Sequence, residues 1–256
     1  MLEIIAVNKG FDKHGIALAP KLSVNLNKIA TLRNARGGNN PDILQVARDC
    51  ERFGAQGITV HPRPDGRHIR YDDVVDLSKI IGVEFNIEGY PTEEFLQLIE
   101  KINPAQVTLV PDPPEALTSD AGWNTLQEKN FLCDVITRIK ASNARVSLFL
   151  NPDPRMVEAA ALSGASRIEL YTEAYAKGFY SDPIVALKPY IETANMALQA
   201  GLGINAGHDL NLENLHYLSK NLNGLQEVSI GHALICDALY FGLQNTIQMY
   251  LKQLKR

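Results

Sequence analysis

Eight times along the chain, a short run rich in β-branched residues is followed by a polar loop and then by a longer helical pattern, often closed by glycine. That repetition limits the fold more than any single residue does. Strands alternating with helices argue for a parallel sheet, and eight such units argue for its closure into a (β/α)8, or TIM, barrel. The runs predict strands over residues 22–27, 57–61, 83–88, 106–110, 145–150, 167–171, 202–205 and 226–230, with a helix after each. A doubly wound open sheet is the alternative arrangement of the same units. At 256 residues the chain has the usual length of one such barrel. Residues 22–256 are therefore read as a single α/β barrel domain, and residues 1–21 as an N-terminal extension with no legible motif.

Local chemistry agrees with these boundaries. Pro41-Asp42, Tyr71-Asp72-Asp73, Pro91-Thr92-Glu93-Glu94, Pro152-Asp153-Pro154 and Asn211 place caps and acidic groups at helix starts. Gly54, Gly164 and Gly201 fall where helices should stop. Within the strands, Val24, Leu26, Ile58, Val60, Val83, Phe85, Ile87, Val107, Leu109, Ile168, Leu170, Val228 and Ile230 share the face that packs beneath helices. The other face is polar, with Ser23, Asn25, Asn27, Thr59, His61, Glu84, Asn86, Glu88, Thr108, Glu169, Tyr171, Asn205, Glu227 and Ser229. Barrel interiors are ordinarily filled with branched aliphatics, so this polarity calls for a hydrogen-bonded network or a ligand.

Barrel chemistry gathers at the C-terminal ends of the strands and in the loops after them. Strand 1 carries Asn25 and Asn27 into a loop with Lys28, Arg33 and Arg36. Strand 2 ends at His61 and leads to Arg63, Arg67 and His68, and strand 3 ends at Glu88. Strand 7 runs into Asn205–His208, and strand 8 into Gly231-His232-Ala233. Imidazoles and a carboxyl suit proton transfer, guanidinium suits anion binding, and a helix N-terminus after strand 8 suits a phosphate. Each residue also has a plainer reading. His61 and His208 could be hydrogen-bonded structural groups, Glu88 the salt-bridge partner of Arg33 or Arg63, and the arginines solvated loop charges. His61, Glu88 and His208 could also meet as metal ligands, although no compact ligand spacing is present. No Walker A or dinucleotide fingerprint follows a strand.

Composition excludes several classes. A net charge of -4 gives no general basic field for nucleic acid or an anionic membrane. Cys50, Cys133 and Cys236 form no paired motif, so reduced thiols and a cytoplasmic setting are expected. No signal segment or bilayer-length apolar run is read.

Seven segments, VNLNKIATLRNARG, GITVHPRPDGRHI, NIE, LVP, VSLF, INAGH and SIGHA, stand in the order and at the spacing of one family. From about Leu22 onward the chain resembles pyridoxine 5'-phosphate synthase. The resemblance implies a barrel with extra helices used in subunit assembly, a homo-octamer, and neither metal nor organic cofactor. It implies condensation of 1-deoxy-D-xylulose 5-phosphate with 3-amino-2-oxopropyl phosphate, with loss of phosphate and water. His61 and Glu88 then resemble acid/base residues, with Glu88 expected as a general base, and His208 resembles a proton donor. Asn25, Arg36, Gly231 and His232 resemble the amino-ketone phosphate site; Arg63, His68 and Thr118 resemble the deoxyxylulose phosphate site. Two positions depart. Asn27-Lys28 stands where Asp-His is frequent, and Asp209 stands where Gly is common, so a contact there that needs positive φ is disfavoured. The alternatives are a non-catalytic phosphate-sugar binding barrel and a metal-dependent barrel aldolase or hydrolase.

Overall fold

The computed structural model describes residues 10–11, 18–112 and 121–255. Thr118 lies outside the described residues, as does most of the 1–21 extension. Strands β1 (Lys21–Asn25), β2 (Gly57–Val60), β3 (Glu84–Gly89), β4 (Gln106–Leu109), β5 (Arg145–Leu150), β6 (Arg167–Tyr171), β7 (Gly203–Gly207) and β8 (Leu225–Ile230) pair in parallel in chain order. β8 pairs back to β1, with Val24 opposite Ile230, so the sheet closes and the open-sheet alternative falls.

Helices α1 (Asn27–Asn34) and α2 (Ile43–Arg52) follow β1, and α3 (Tyr71–Ser78), α4 (Glu93–Ile102) and α5 (Lys129–Lys140) follow β2, β3 and β4. After β5 a 3-10 turn (Pro154–Met156) leads into α6 (Val157–Leu162). Helices α7 (Glu173–Phe179) and α8 (Pro183–Gln199) follow β6, α9 (Leu215–Asn221) follows β7, and α10 (His232–Phe241) and α11 (Leu243–Gln253) follow β8. Among the described residues, three strands are thus followed by two helices each.

Three of the expected residues make N-cap bonds. Asp42 accepts from the N–H groups of Leu44 and Gln45, Thr92 from Phe95, and Asp153 from Arg155. Asn211 accepts from Glu213 and Asn214 one turn ahead of α9. Gly54, Gly164 and Gly201 take the left-handed conformation that ends a helix. Between barrel and helices, Val24, Ile58, Val60, Ile87, Val107, Leu109, Ile168, Leu170 and Val228 are fully buried. Among the described residues, no helix is long and apolar enough to cross a membrane.

The barrel interior is a connected polar network. Toward its N-terminal end Lys21 and Arg145 both pair with Glu84, and Arg167 donates to Asn205 at 3.1 Å and reaches Glu227 at 3.4 Å. One level up, Ser23 and Thr59 hydroxyls are 2.7 Å apart, Asn86 donates to Thr59, and Thr108 donates to Asn86 at 3.1 Å. Most of the polar alternation of the strands is therefore a set of groups bonded to one another beneath the mouth, with the buried Ser147 hydroxyl on β5 left without a hydrogen-bond partner among the described residues.

One boundary differs from the sequence reading in a way that matters for the site. β1 stops at Asn25, and Asn27 opens α1 rather than continuing the strand. The Asn25 Oδ1 accepts the Asn27 N–H at 2.9 Å, an Asx turn that swings the chain out of the sheet.

Candidate active site

At the C-terminal mouth, β2 delivers His61 and β3 delivers Glu88, each nearly buried, with His61 Nδ1 3.9 Å from Glu88 Oε2. That separation is too long for a direct hydrogen bond. The Asn25 amide donates to the same Glu88 oxygen at 3.4 Å. Asn27, on α1, uses its Oδ1 to accept the His61 backbone N–H at 2.9 Å, a bond an aspartate at this position would make equally well. His68 stands beside His61 with ring centres 6.0 Å apart.

A count of charges explains the electrostatics. Within the barrel and its mouth Arg145 is matched by Glu84, Arg167 by Glu227, and Arg63 by Asp112 at 3.6 Å. Glu88 and Glu169 are left over: among the described residues neither has an Arg or Lys partner. Burial, reinforced by Glu227 against a weaker opposing pull from Arg63, pushes the Glu88 carboxyl up to about 8. Burial and the neighbouring Glu88 and Glu227 carry Glu169 well above the ordinary carboxylate range. Glu88 is therefore mainly a carboxylic acid at neutral pH, and Glu169 is pushed in the same direction. The salt-bridge reading of Glu88 therefore fails, since Arg63 belongs to Asp112 and Arg33 is held elsewhere. Burial, with Arg63, His68 and His208 nearby, drives the His61 imidazole well below its usual value. Burial and then Arg63 bring His68 to about 4, and its Nδ1 accepts the Ile69 N–H, which leaves the ring hydrogen on Nε2.

His208 follows β7 directly and packs against Phe149 from β5 and Tyr171 from β6, with ring centres at 4.8 Å and 5.2 Å. Burial lowers its affinity for a proton, opposed by Asp209. Below it, Gly207 faces the Glu169 carboxyl so closely that an added Cβ would meet Oε1 at 2.4 Å. The Asp209 expectation is corrected here: Asp209 does take positive φ, 57°, and His208 before it takes 78°. An Asp side chain tolerates that region better than most, which is how a non-glycine fits.

The arginines divide. Arg33 is buried and bidentate to Asp73 at 2.6 Å and 2.9 Å, with a further bond to the His68 carbonyl; it braces the loop after β2 and has no hand free for a ligand. Arg67 is turned onto Asp65. Arg63 and Asp112 face each other beside His61. Arg36 is exposed past the end of α1, and among the described residues no carboxylate pairs with it. Lys28 is exposed on α1. Gly231 lies against Asn25, and His232 opens α10, whose N-terminus has no side-chain cap. Among the described residues, no three His, Cys, Asp or Glu side chains are grouped to hold a metal ion.

Sequence reasoning passed over four residues that shape the mouth. Glu169 was legible as inward-facing but not as uncompensated. Asp112 sits beyond the end of β4, where alternation carries no information. Phe149 reads as one more apolar strand residue, and Thr172 carries no motif.

A closed parallel barrel that gathers two acids without an Arg or Lys partner, buried imidazoles and an uncapped helix terminus toward its C-terminal mouth has the build of a barrel enzyme. The chain matches the family described as pyridoxal phosphate biosynthesis protein PdxJ over residues 22–256, and it belongs to that family. It is 63% identical to the pyridoxine 5'-phosphate synthase of Cytophaga hutchinsonii, with 92% of this chain and 99% of the relative aligned. The enzyme of the same name from Parabacteroides distasonis is 57% identical, over 90% and 96% of the two chains. Among solved structures, tryptophan synthase of M. tuberculosis superposes with a TM-score of 0.63 at 11% identity, covering 100% of this chain and 96% of that one. Phosphoribosylanthranilate isomerase of Thermotoga maritima gives 0.56 at 15% identity, covering 92% and 98%. At those identities the likeness is one of fold alone.

Proposed function

We propose that this enzyme is a pyridoxine 5'-phosphate synthase that condenses 1-deoxy-D-xylulose 5-phosphate with 3-amino-2-oxopropyl phosphate, releasing phosphate and water. The observation that carries the reading is the His61–Glu88 pair: a neutral imidazole and a protonated carboxyl 3.9 Å apart, with no fixed ion pair between them. Carbinolamine dehydration, enolisation and ring closure are successive proton transfers, and such a pair exchanges protons through a bound substrate atom at little cost. Because Glu88 rests as the acid, it donates first and serves as the base in a later step. His208 supplies a second proton from the opposite side of the mouth.

The assignment of the two phosphate groups follows the family resemblance. Arg36, the Gly231-His232 helix start and Asn25 would hold the amino-ketone phosphate. Arg63, His68 and Thr118 would hold the deoxyxylulose phosphate, with Lys28 adding a point charge and Asp209 a backbone contact. The transferase class, a cytoplasmic setting and a homo-octamer belong to the same reading, and light scattering that gave a monomer mass would remove the last. The test of the reaction is phosphate release from both substrates together, with each omitted in turn and with a chelator present. Release that needs both substrates and survives the chelator supports the proposal. Release abolished by the chelator and restored by added metal favours a metal-dependent barrel enzyme instead.

A further inference from the structure

We propose that Thr172, which meets His208 through the backbone and not through the imidazole, is the positioning residue for His208. Two consecutive non-glycine residues, His208 and Asp209, hold left-handed backbone at φ 78° and 57°. Such backbone is unfavourable for a residue with a Cβ and persists only where the surrounding structure over-determines it. The enforcement is visible. Thr172 is fully buried at the end of β6; its N–H donates to the Gly207 carbonyl at 2.9 Å and its hydroxyl to the same oxygen at 2.6 Å. The hydroxyl also makes a very short contact with the His208 carbonyl oxygen. Asn214, likewise fully buried, donates to the Asp209 carbonyl at 3.1 Å and is itself fixed by the Asn211 N–H. The peptide units on both sides of His208 are thus tied down, and the imidazole is delivered against Phe149 and Tyr171.

A second observation separates this role from ordinary helix capping. Thr172 is the N-cap residue of α7, a position where threonine usually accepts from a backbone N–H of the first turn. Here its side chain makes no capping bond. The hydroxyl serves the β7 loop instead of the helix it precedes. Loss of that hydroxyl should therefore be felt at His208 and not at α7.

The kinetic part of the test rests on the proposed reaction; the spectroscopic part does not. Thr172→Val keeps the shape and removes the donor. It is expected to lower kcat roughly 10- to 100-fold with KM for both substrates within about threefold, the cost of displacing a reacting group by a fraction of an ångström to an ångström. Thr172→Ser should return kcat to within about threefold of the parent. Placing Asp209→Gly on Thr172→Val should recover part of the lost kcat, because glycine holds positive φ without a clamp. In histidine-selective 15N spectra, the imidazole signal assigned through His208→Gln should move in Thr172→Val and return in Thr172→Ser. A parent enzyme without turnover would count against the reaction, while the imidazole signal would still decide the positioning role. If Thr172→Val does not fold alone, the same comparison is made in the Asp209→Gly background. An unmoved His208 signal, or failure of both valine forms to fold, overturns the proposal.

Discussion

Replacing Glu88 with glutamine separates catalysis from stability with one substitution. Glutamine reproduces the shape of a protonated carboxyl and its donor, so the folded state, in which Glu88 is already the acid, loses no interaction. What it removes is titration. The carboxyl titrates near 4.5 when the chain is unfolded and at about 8 in the folded protein. Below pH 4.5 both states hold the proton and stability is unaffected. As pH rises toward 8 the unfolded chain ionises and the folded one does not, so stability is lost progressively at about 1.4 kcal/mol per pH unit. At pH 7 that loss is of the order of 3 kcal/mol. Glu88→Gln should therefore melt no lower than the parent at pH 4.5 and increasingly higher toward pH 8, by roughly 2–4 °C for each kcal/mol. Over the same range kcat should fall by about 10² to 10⁴, since the amide neither gives nor takes the proton. Melting curves and initial rates from one preparation measure both. Near-normal kcat with a lowered melting temperature would refute the reasoning, because it would mean that Glu88 is an ionised structural partner.

Arg36→Ala should raise KM for the amino-ketone phosphate about ten- to a hundredfold through loss of a charge-assisted contact, and unchanged steady-state kinetics for that substrate would cancel the assignment. Gly207→Ala puts a methyl where the Glu169 carboxyl lies, 2.4 Å from Oε1, and should cost about 1–3 kcal/mol in thermal melts. An unaltered melting temperature would show that Glu169 can move aside freely. His68, lowered to about 4 by burial and Arg63, lends stability that is complete above pH 6.5 and lost as pH falls toward 4, by up to about 3 kcal/mol. His68→Gln should flatten that limb of the stability profile; an identical acid limb in the two proteins would contradict the burial argument.

The fold was legible because its signals are local. β-branched alternation, capping residues and helix-ending glycines each act within a few positions, and together they set all eight strands and most helix starts. The end of β1 was misread because an Asx turn at Asn25 looks, in sequence, like another polar strand residue. His61 and Glu88 were placed correctly by alternation alone, since neighbouring strands of a parallel barrel bring their last inward residues together. The arginines were not legible one by one: nothing in the run from Arg33 to Arg67 reveals that Arg33 closes on Asp73 or that Arg63 faces Asp112. Nor was the protonation state of Glu88, which depends on Glu227 across the barrel and on how many cations other acids have already claimed. Positive φ at His208 and Asp209 was hidden for the same reason. It is imposed by Thr172 and Asn214, whose identities carry no motif.

The central claim is that this mouth closes a pyridine ring by moving protons between residues of its own chain. A single-turnover experiment with enzyme in excess over both phosphorylated substrates, with the product identified by mass, tests it most directly. Pyridoxine 5'-phosphate and inorganic phosphate should appear in equal amounts with the parent enzyme and be slowed by at least about 10² with Glu88→Gln. Saturable binding of both substrates with neither product formed would contradict it.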